Sequence, residues 1–182
     1  NNPATLANSI LGSGISIVGT PSYTGAATQS GTFTGGTSAG IGIDEGLILT
    51  SGDATDAAGP NNADNTTTNT STPGDADLDA QIGGTTFDAA ALEFTFQFGD
   101  GSVGGDLFFD FVFASEEYNE FVGSAFNDPF ALLIDGNNVA EAPDGQTVEI
   151  NSVNCGDPFA PATSTGTNCG AFNNNDVSDG GP

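Results

Sequence analysis

The sequence contains no lysine, no arginine and no histidine, while 24 aspartates and glutamates give a formal net charge of −24. Globular chains carry roughly 25% charged residues, about half of them basic; here the charged share is 13% and all of it is acidic. Salt bridges between side chains are therefore excluded. Carboxylates that lie close together must be protonated, spread into water or held by cations. Nucleic acid is excluded as a partner, because no side chain can neutralise phosphate. Anionic membrane surfaces are disfavoured for the same reason, and direct membrane insertion is not expected, since no apolar run is long enough to span a bilayer. No signal-peptide pattern is visible, and the chain begins at Asn1 rather than Met, which points to a processed form. Without histidine, Cys155 and Cys169 cannot complete a zinc site. Catalysis narrows as well: acid–base work would fall to carboxylates and two tyrosines, leaving a two-carboxylate glycoside hydrolase as the one ordinary enzyme, and the expectation is that the protein is not an enzyme.

What is present favours strands and turns. Glycine is abundant, with frequent Thr, Ser and Asn, and 182 residues suffice for one domain with a sizeable core. Leu6 and Ile10, four apart, predict a short helix over 3–11 that Gly12 ends. Residues 15–23 alternate and carry Pro21, which suits an edge strand. A short strand is predicted around Phe33 over 29–34, and residues 40–51, GIGIDEGLILTS, read as two strands around a turn at 44–46. Residues 52–79 hold almost no apolar mass and form a long acidic loop. Its aspartates (Asp53, Asp56, Asp64, Asp75, Asp77, Asp79) suggest that cations order it. Asn65 and Asn69 stand in N-x-Thr/Ser sequons, which matter only in a glycosylating secretory pathway.

One helical turn is expected within 79–87. The stretch 92–98, LEFTFQF, is the clearest amphipathic strand, with Leu92, Phe94, Phe96 and Phe98 inward. Residues 107–114 are apolar on both faces apart from Asp110 and read as a central strand. Further strands are expected over 130–134, 139–142 and 147–151, the last with Val148 and Ile150 inward. Turns are expected at 135–138 and 143–145, and loop from 154 to 182. The predicted fold is all-β: one antiparallel β-sandwich or jelly-roll-like domain over 1–182, with one or two short helices and long loops.

Between the apolar runs lies SEEYNEFVGSAFND, carrying Glu116, Glu117, Glu120, Asn127 and Asp128. Like charges crowded beside a Phe-rich core are costly unless a cation binds them. Ca²⁺ is the cation expected, because its ligands are carboxylate, amide and backbone oxygens. The candidate ligands are Glu116, Glu117, Asn127 and Asp128, joined by Asp53, Asp77 and Asp79. The last two belong to a DxDxD run that fails as an EF-hand, since Ala80 stands at its sixth position and Thr86 at its twelfth. They serve equally well as the solvated acidic start of a helix. Tyr118, Phe121 and Phe126 are candidate glycan contacts or, alternatively, caps on the core. Cys155 and Cys169 read best as a disulfide closing a short loop, with two free thiols as the alternative; a disulfide implies an oxidising compartment.

FDFVFASEEYNEFVGSAFNDPFALLIDG, together with GTFTGGTSAGIGIDEGLILTSGDATDAAGPN and GDADLDAQIGGTTFDAAALEFTF, resembles the choice-of-anchor L domain over about residues 6–179. The resemblance implies a secreted or surface-exposed microbial protein and supplies no catalytic residues. It also implies that such domains continue past the SDGGP-like segment with further apolar strands, whereas this chain stops at Pro182. A sandwich lacking its last strands would expose a sheet edge that a neighbouring subunit's strand could fill, and repetition of that contact would make a filament. The expectation is therefore an extracellular, Ca²⁺-binding structural or adhesive module of a microbial surface or biofilm matrix, with itself as partner. The alternative is a Ca²⁺-dependent carbohydrate-binding module whose partners are extracellular glycans.

Overall fold

Asn2 and Pro3 start the first element. The Asn2 Oδ1 accepts hydrogen bonds from the Ala4 and Thr5 N–H groups (2.9 and 3.4 Å), and Pro3 has no N–H to leave unsatisfied. The helix they launch, α1 (Pro3–Asn8), is shorter than the predicted 3–11 and buries Leu6 and Ala7. These positions come from a computed structural model that describes residues 2–59, 63, 66–157 and 166–175. Its contacts divide the chain into two units. Unit 1 comprises Asn1–Ala58, Thr68–Asp75 and Phe87–Val112; unit 2 comprises Gly59–Thr67, Ala76–Thr86 and Phe113–Pro182.

In unit 1, α1 packs on an antiparallel ladder of β1 (Ile15–Thr24) and β4 (Ala91–Phe98). Ile15 faces Phe98 at one end and Thr24 faces Ala91 at the other. The register breaks between Val18 and Ser22, where Pro21 has no N–H to give the ladder. Period-2 alternation places Phe94, Phe96 and Phe98 in one row, with successive centroids 6.4 and 5.8 Å apart, as the sequence predicted. A second ladder pairs β2 (Ser30–Thr34) with β3 (Glu45–Leu49). The turn expected at 44–46 does not form: the chain turns earlier, through 36–42, and Gly46 already lies in β3 opposite Phe33. The Phe33 ring crosses that position, so a Cβ there would sit 3.1 Å from Phe33 Cε1.

The polar centre of unit 1 is Gln29, fully buried. Its Nε2 donates to the Ser51 and Asp88 carbonyls, and its Oε1 accepts from Ala26 N (2.6 Å) and Thr72 Oγ1 (3.1 Å). This uses the full capacity of one carboxamide. Gly25 is required beside it, with φ +130° and a Cβ position 3.1 Å from Gln29 Oε1 and 2.8 Å from the Tyr23 hydroxyl.

The predicted central strand over 107–114 is corrected. Residues 107–112 join none of the four ladders described, and Phe108 is 90% exposed. Apolarity on both faces states what a stretch would gain inside a sheet; it does not supply the flanking strands. A groove of about 540 Å³ runs between residues 41–43 and 109–112.

In unit 2, α2 (Ala76–Ile82) is longer than the single turn expected and begins inside the predicted loop 52–79. The strands expected over 130–134 and 139–142 are shorter and displaced. β5 (Pro129–Phe130) pairs with β8 (Val148–Glu149), and β6 (Leu133–Ile134) pairs with β7 (Asn137–Asn138). Asp135 (φ 49°) and Gly136 (φ 78°) alone make the connection between β6 and β7, so the turn is two residues rather than four. Val148 and Ile150 point inward as expected and, with Ala140 and Ala142, form the buried apolar core of this unit. Cys155 and Cys169 are joined in a disulfide. Immediately before Cys155, Asn154 is buried. Its Nδ2 donates to the Ile150 carbonyl (2.9 Å), and its Oδ1 accepts from Gly156 N (2.9 Å).

Among the described residues the regular elements are thus mostly strands, with few short helices, as the composition predicted. Each described sheet has two strands, and no layered sandwich is among them.

Candidate functional site

The excursion from Ser115 to Asp128 in unit 2 gathers most of the predicted site. Ser115 organises its mouth: the hydroxyl accepts from Glu117 N (3.1 Å) and donates to Asp128 Oδ2 (3.3 Å). Turns then carry the chain round, with Phe121 N donating to the Glu117 carbonyl (3.1 Å) and Ser124 N to the Phe121 carbonyl (2.9 Å). Asn151, which sequence reading did not single out, ties both arms together. Its Oδ1 accepts from Gly123 N (2.6 Å), its Nδ2 donates to the Ser124 carbonyl (3.0 Å), and its own N–H donates to Asn127 Oδ1 (2.8 Å). The Asn127 amide oxygen therefore already holds a backbone group.

Burial dominates the electrostatics. The Asp128 carboxyl is pushed above its usual range by burial, against the partial relief of the Ser115 hydroxyl. The Glu117 carboxyl is raised by burial first and by the negative charge of Asp128 second. Glu116 is half-buried next to them in sequence. Glu120, singled out in the stretch but not as a ligand, has its Oε2 buried without a hydrogen-bond partner. Such an atom in a native fold is open to a cation.

The other predicted ligands lie apart. Asp53 belongs to unit 1, where its Oδ1 caps a 3₁₀ turn by accepting from Thr55 N (2.9 Å) and Thr55 Oγ1 (2.7 Å); these bonds hold its carboxyl below the usual range. Asp77 and Asp79 occupy the first turn of α2, where acidic side chains suit the helix dipole. Asp79 Oδ1 also accepts from Thr86 N (2.6 Å) and Thr86 Oγ1 (2.8 Å), fastening the helix to the chain that follows it. Among the described residues no three carboxylate or thiol groups converge as a metal cluster. Oxygen donors for a cation would thus have to combine Glu117 and Asp128 with hydroxyl, amide or backbone oxygens, which Ca²⁺ accepts.

The aromatic candidates divide. Tyr118 stands edge-on to Phe113 (6.4 Å) and packs on Phe172 (4.8 Å), and its hydroxyl donates to the Val153 carbonyl. Burial pushes its phenol up to about 12. Phe121 and Phe126 form an edge-to-face pair at 5.2 Å, with Phe126 60% exposed.

No curated protein and no solved structure matches the chain. The family model of the choice-of-anchor L domain matches residues 1–179, and the chain belongs to that family. Such domains are surface-associated or secreted modules; no helix among the described residues is long and apolar enough to cross a membrane.

Proposed function

We propose that this choice-of-anchor L domain is a calcium-binding structural module of a microbial surface or matrix. The observation that carries the reading is the pair Glu117 and Asp128. Both are driven toward protonation by burial, on one excursion of a chain that has no side chain to neutralise them. A Ca²⁺ ion would offset the cost of burying the two carboxylates. The Ser115 hydroxyl, Asn127 and the unpartnered Glu120 Oε2 are further oxygens on the same excursion. Extracellular calcium modules work at about 10⁻⁴–10⁻³ M. A melt recorded with millimolar Ca²⁺ and again in excess EDTA tests the proposal. Ca²⁺ should raise Tm, and Asp128→Asn should abolish the rise; equal melts in the two buffers would remove it.

A second observation favours assembly with further copies by strand exchange, which would build the sandwich that two-stranded ladders leave open. Residues 107–112 are apolar apart from Asp110, lie outside every described ladder, and expose Phe108 and Val112. A segment of this kind can be donated as a strand to the open ladder edge of another copy. Two copies each carrying −24 repel, so Ca²⁺ screening favours the contact. The Phe121–Phe126 pair beside Asn127 and Asp128 is the feature that would serve calcium-dependent glycan recognition instead.

A further inference from the structure

We infer that Asn69 is an N-glycosylation acceptor, displayed by a segment built to hold it outward. Residues 68–72, TNTST, belong to unit 1 and lie outside its helices and strands. Their three threonines are each tied to other parts of the unit. Thr68 Oγ1 donates to Asp56 Oδ2 (2.7 Å), Thr70 Oγ1 to Asp88 Oδ1 (3.0 Å), and Thr72 Oγ1 to Gln29 Oε1 (3.1 Å). The backbone is fastened as well: Thr72 N donates to Asp88 Oδ1 (2.7 Å), and the Thr72 carbonyl accepts from Asp88 N (3.1 Å). Asn69 and Ser71 are both exposed.

Those two residues are the acceptor and hydroxyl positions of an Asn-Thr-Ser sequon. Asn69 Oδ1 accepts from Ser71 N (2.9 Å) and from Ser71 Oγ (2.8 Å). Ser71 takes φ 55°, the left-handed region, to close this turn. The carboxamide oxygen is thus occupied by the sequon's own hydroxyl residue. The nitrogen Nδ2 points away from it and donates to no described group. A transferase approaching from solvent meets the nucleophilic atom first, on a backbone that need not unfold to present it. The other sequon, at Asn65, lies outside the described residues.

The donor class is an oligosaccharide on a polyprenyl diphosphate. The Asn69 Nδ2 forms a bond to the anomeric carbon while the anomeric C–O bond to the diphosphate breaks. The diphosphate leaves with the electron pair, and Nδ2 gives up a proton to a base on the transferase. The inference rests on the surface or secreted placement of the family and is independent of calcium and of assembly.

The test is the mass of the peptide 65–75 in protein recovered outside its producing cells. Trypsin cannot release this peptide, because there is no Lys or Arg, so an Asp/Glu-specific protease is used. One glycan on Asn69 is expected. Asn69→Asp keeps the oxygen that accepts from Ser71 but removes the nucleophile; it should lose the glycan with an unchanged melt. Ser71→Ala should lose it also, whereas Ser71→Thr, and Thr67→Ala in the neighbouring sequon, should keep it. An unmodified wild-type peptide, or a glycan that survives Asn69→Asp, overturns the assignment.

Discussion

The two units solve the same problem, a chain poor in charge pairs and rich in polar residues, by different means. Unit 1 has ladders of five residues or more, a phenylalanine row and a helix laid on the sheet; its single buried carboxamide, Gln29, joins four segments. Unit 2 has strands of two residues, a disulfide, and asparagines that take over the bonding a longer ladder would supply. Its carboxylates are also the ones that burial pushes toward protonation. Where the backbone pairs with itself, apolar pattern decides the structure. Where it does not, particular amide side chains and, on the reading above, a borrowed cation do so.

Removing Gln29 should break the comparison hardest. Gln29→Leu strands Ala26 N and the Ser51 and Asp88 carbonyls. At about 1–3 kcal/mol for each buried group left without a partner, a loss of about 3 kcal/mol or more is expected. Hydrogen exchange should show protection lost in unit 1 and kept in unit 2; loss of both together would mean that the units unfold as one. Reduction of Cys155–Cys169 should do the reverse, costing about 3 kcal/mol for a loop of this size, with the loss confined to unit 2.

A pH series sharpens the contrast further. Glu117 and Asp128 have folded pKa values above their unfolded ones, so the folded state binds more protons between the two. Their contribution is complete below the ordinary carboxylate range and is lost as pH rises through the raised values. In calcium-free buffer, unit 2 should therefore gain stability as pH falls from neutrality toward that range, and Glu117→Gln with Asp128→Asn should flatten the slope. Ca²⁺ at about 100 times its Kd should restore about 2.7 kcal/mol at neutral pH. The smallest effect expected is Asn2→Ala, about 1 kcal/mol from the lost cap on α1, visible as faster exchange in unit 1 only.

Much of this was legible in advance for local reasons. Leu92 to Phe98 declares its strand because alternation needs no partner to be read, and Asp135–Gly136 declares a hairpin because few residue pairs tolerate two positive φ angles. Val148 and Ile150 were placed inward correctly on the same ground. Gln29 and Asn151 were not legible: each acts through backbone groups far away in sequence, up to 59 residues for Gln29 and Asp88, and a lone amide carries no periodic signal. Residues 107–112 misled because their pattern describes burial within a sheet that the described ladders do not provide.

By itself the sequence determined the family and the exclusion of salt bridges between side chains. These follow from residue identity and need no coordinates. Only the tertiary structure decided which carboxylates are crowded and buried, which amides hold the loops, and which groups tie down the Thr-rich segment. Those properties belong to distances between residues remote in sequence. Desolvation and hydrogen bonding act through such distances, and composition does not contain them.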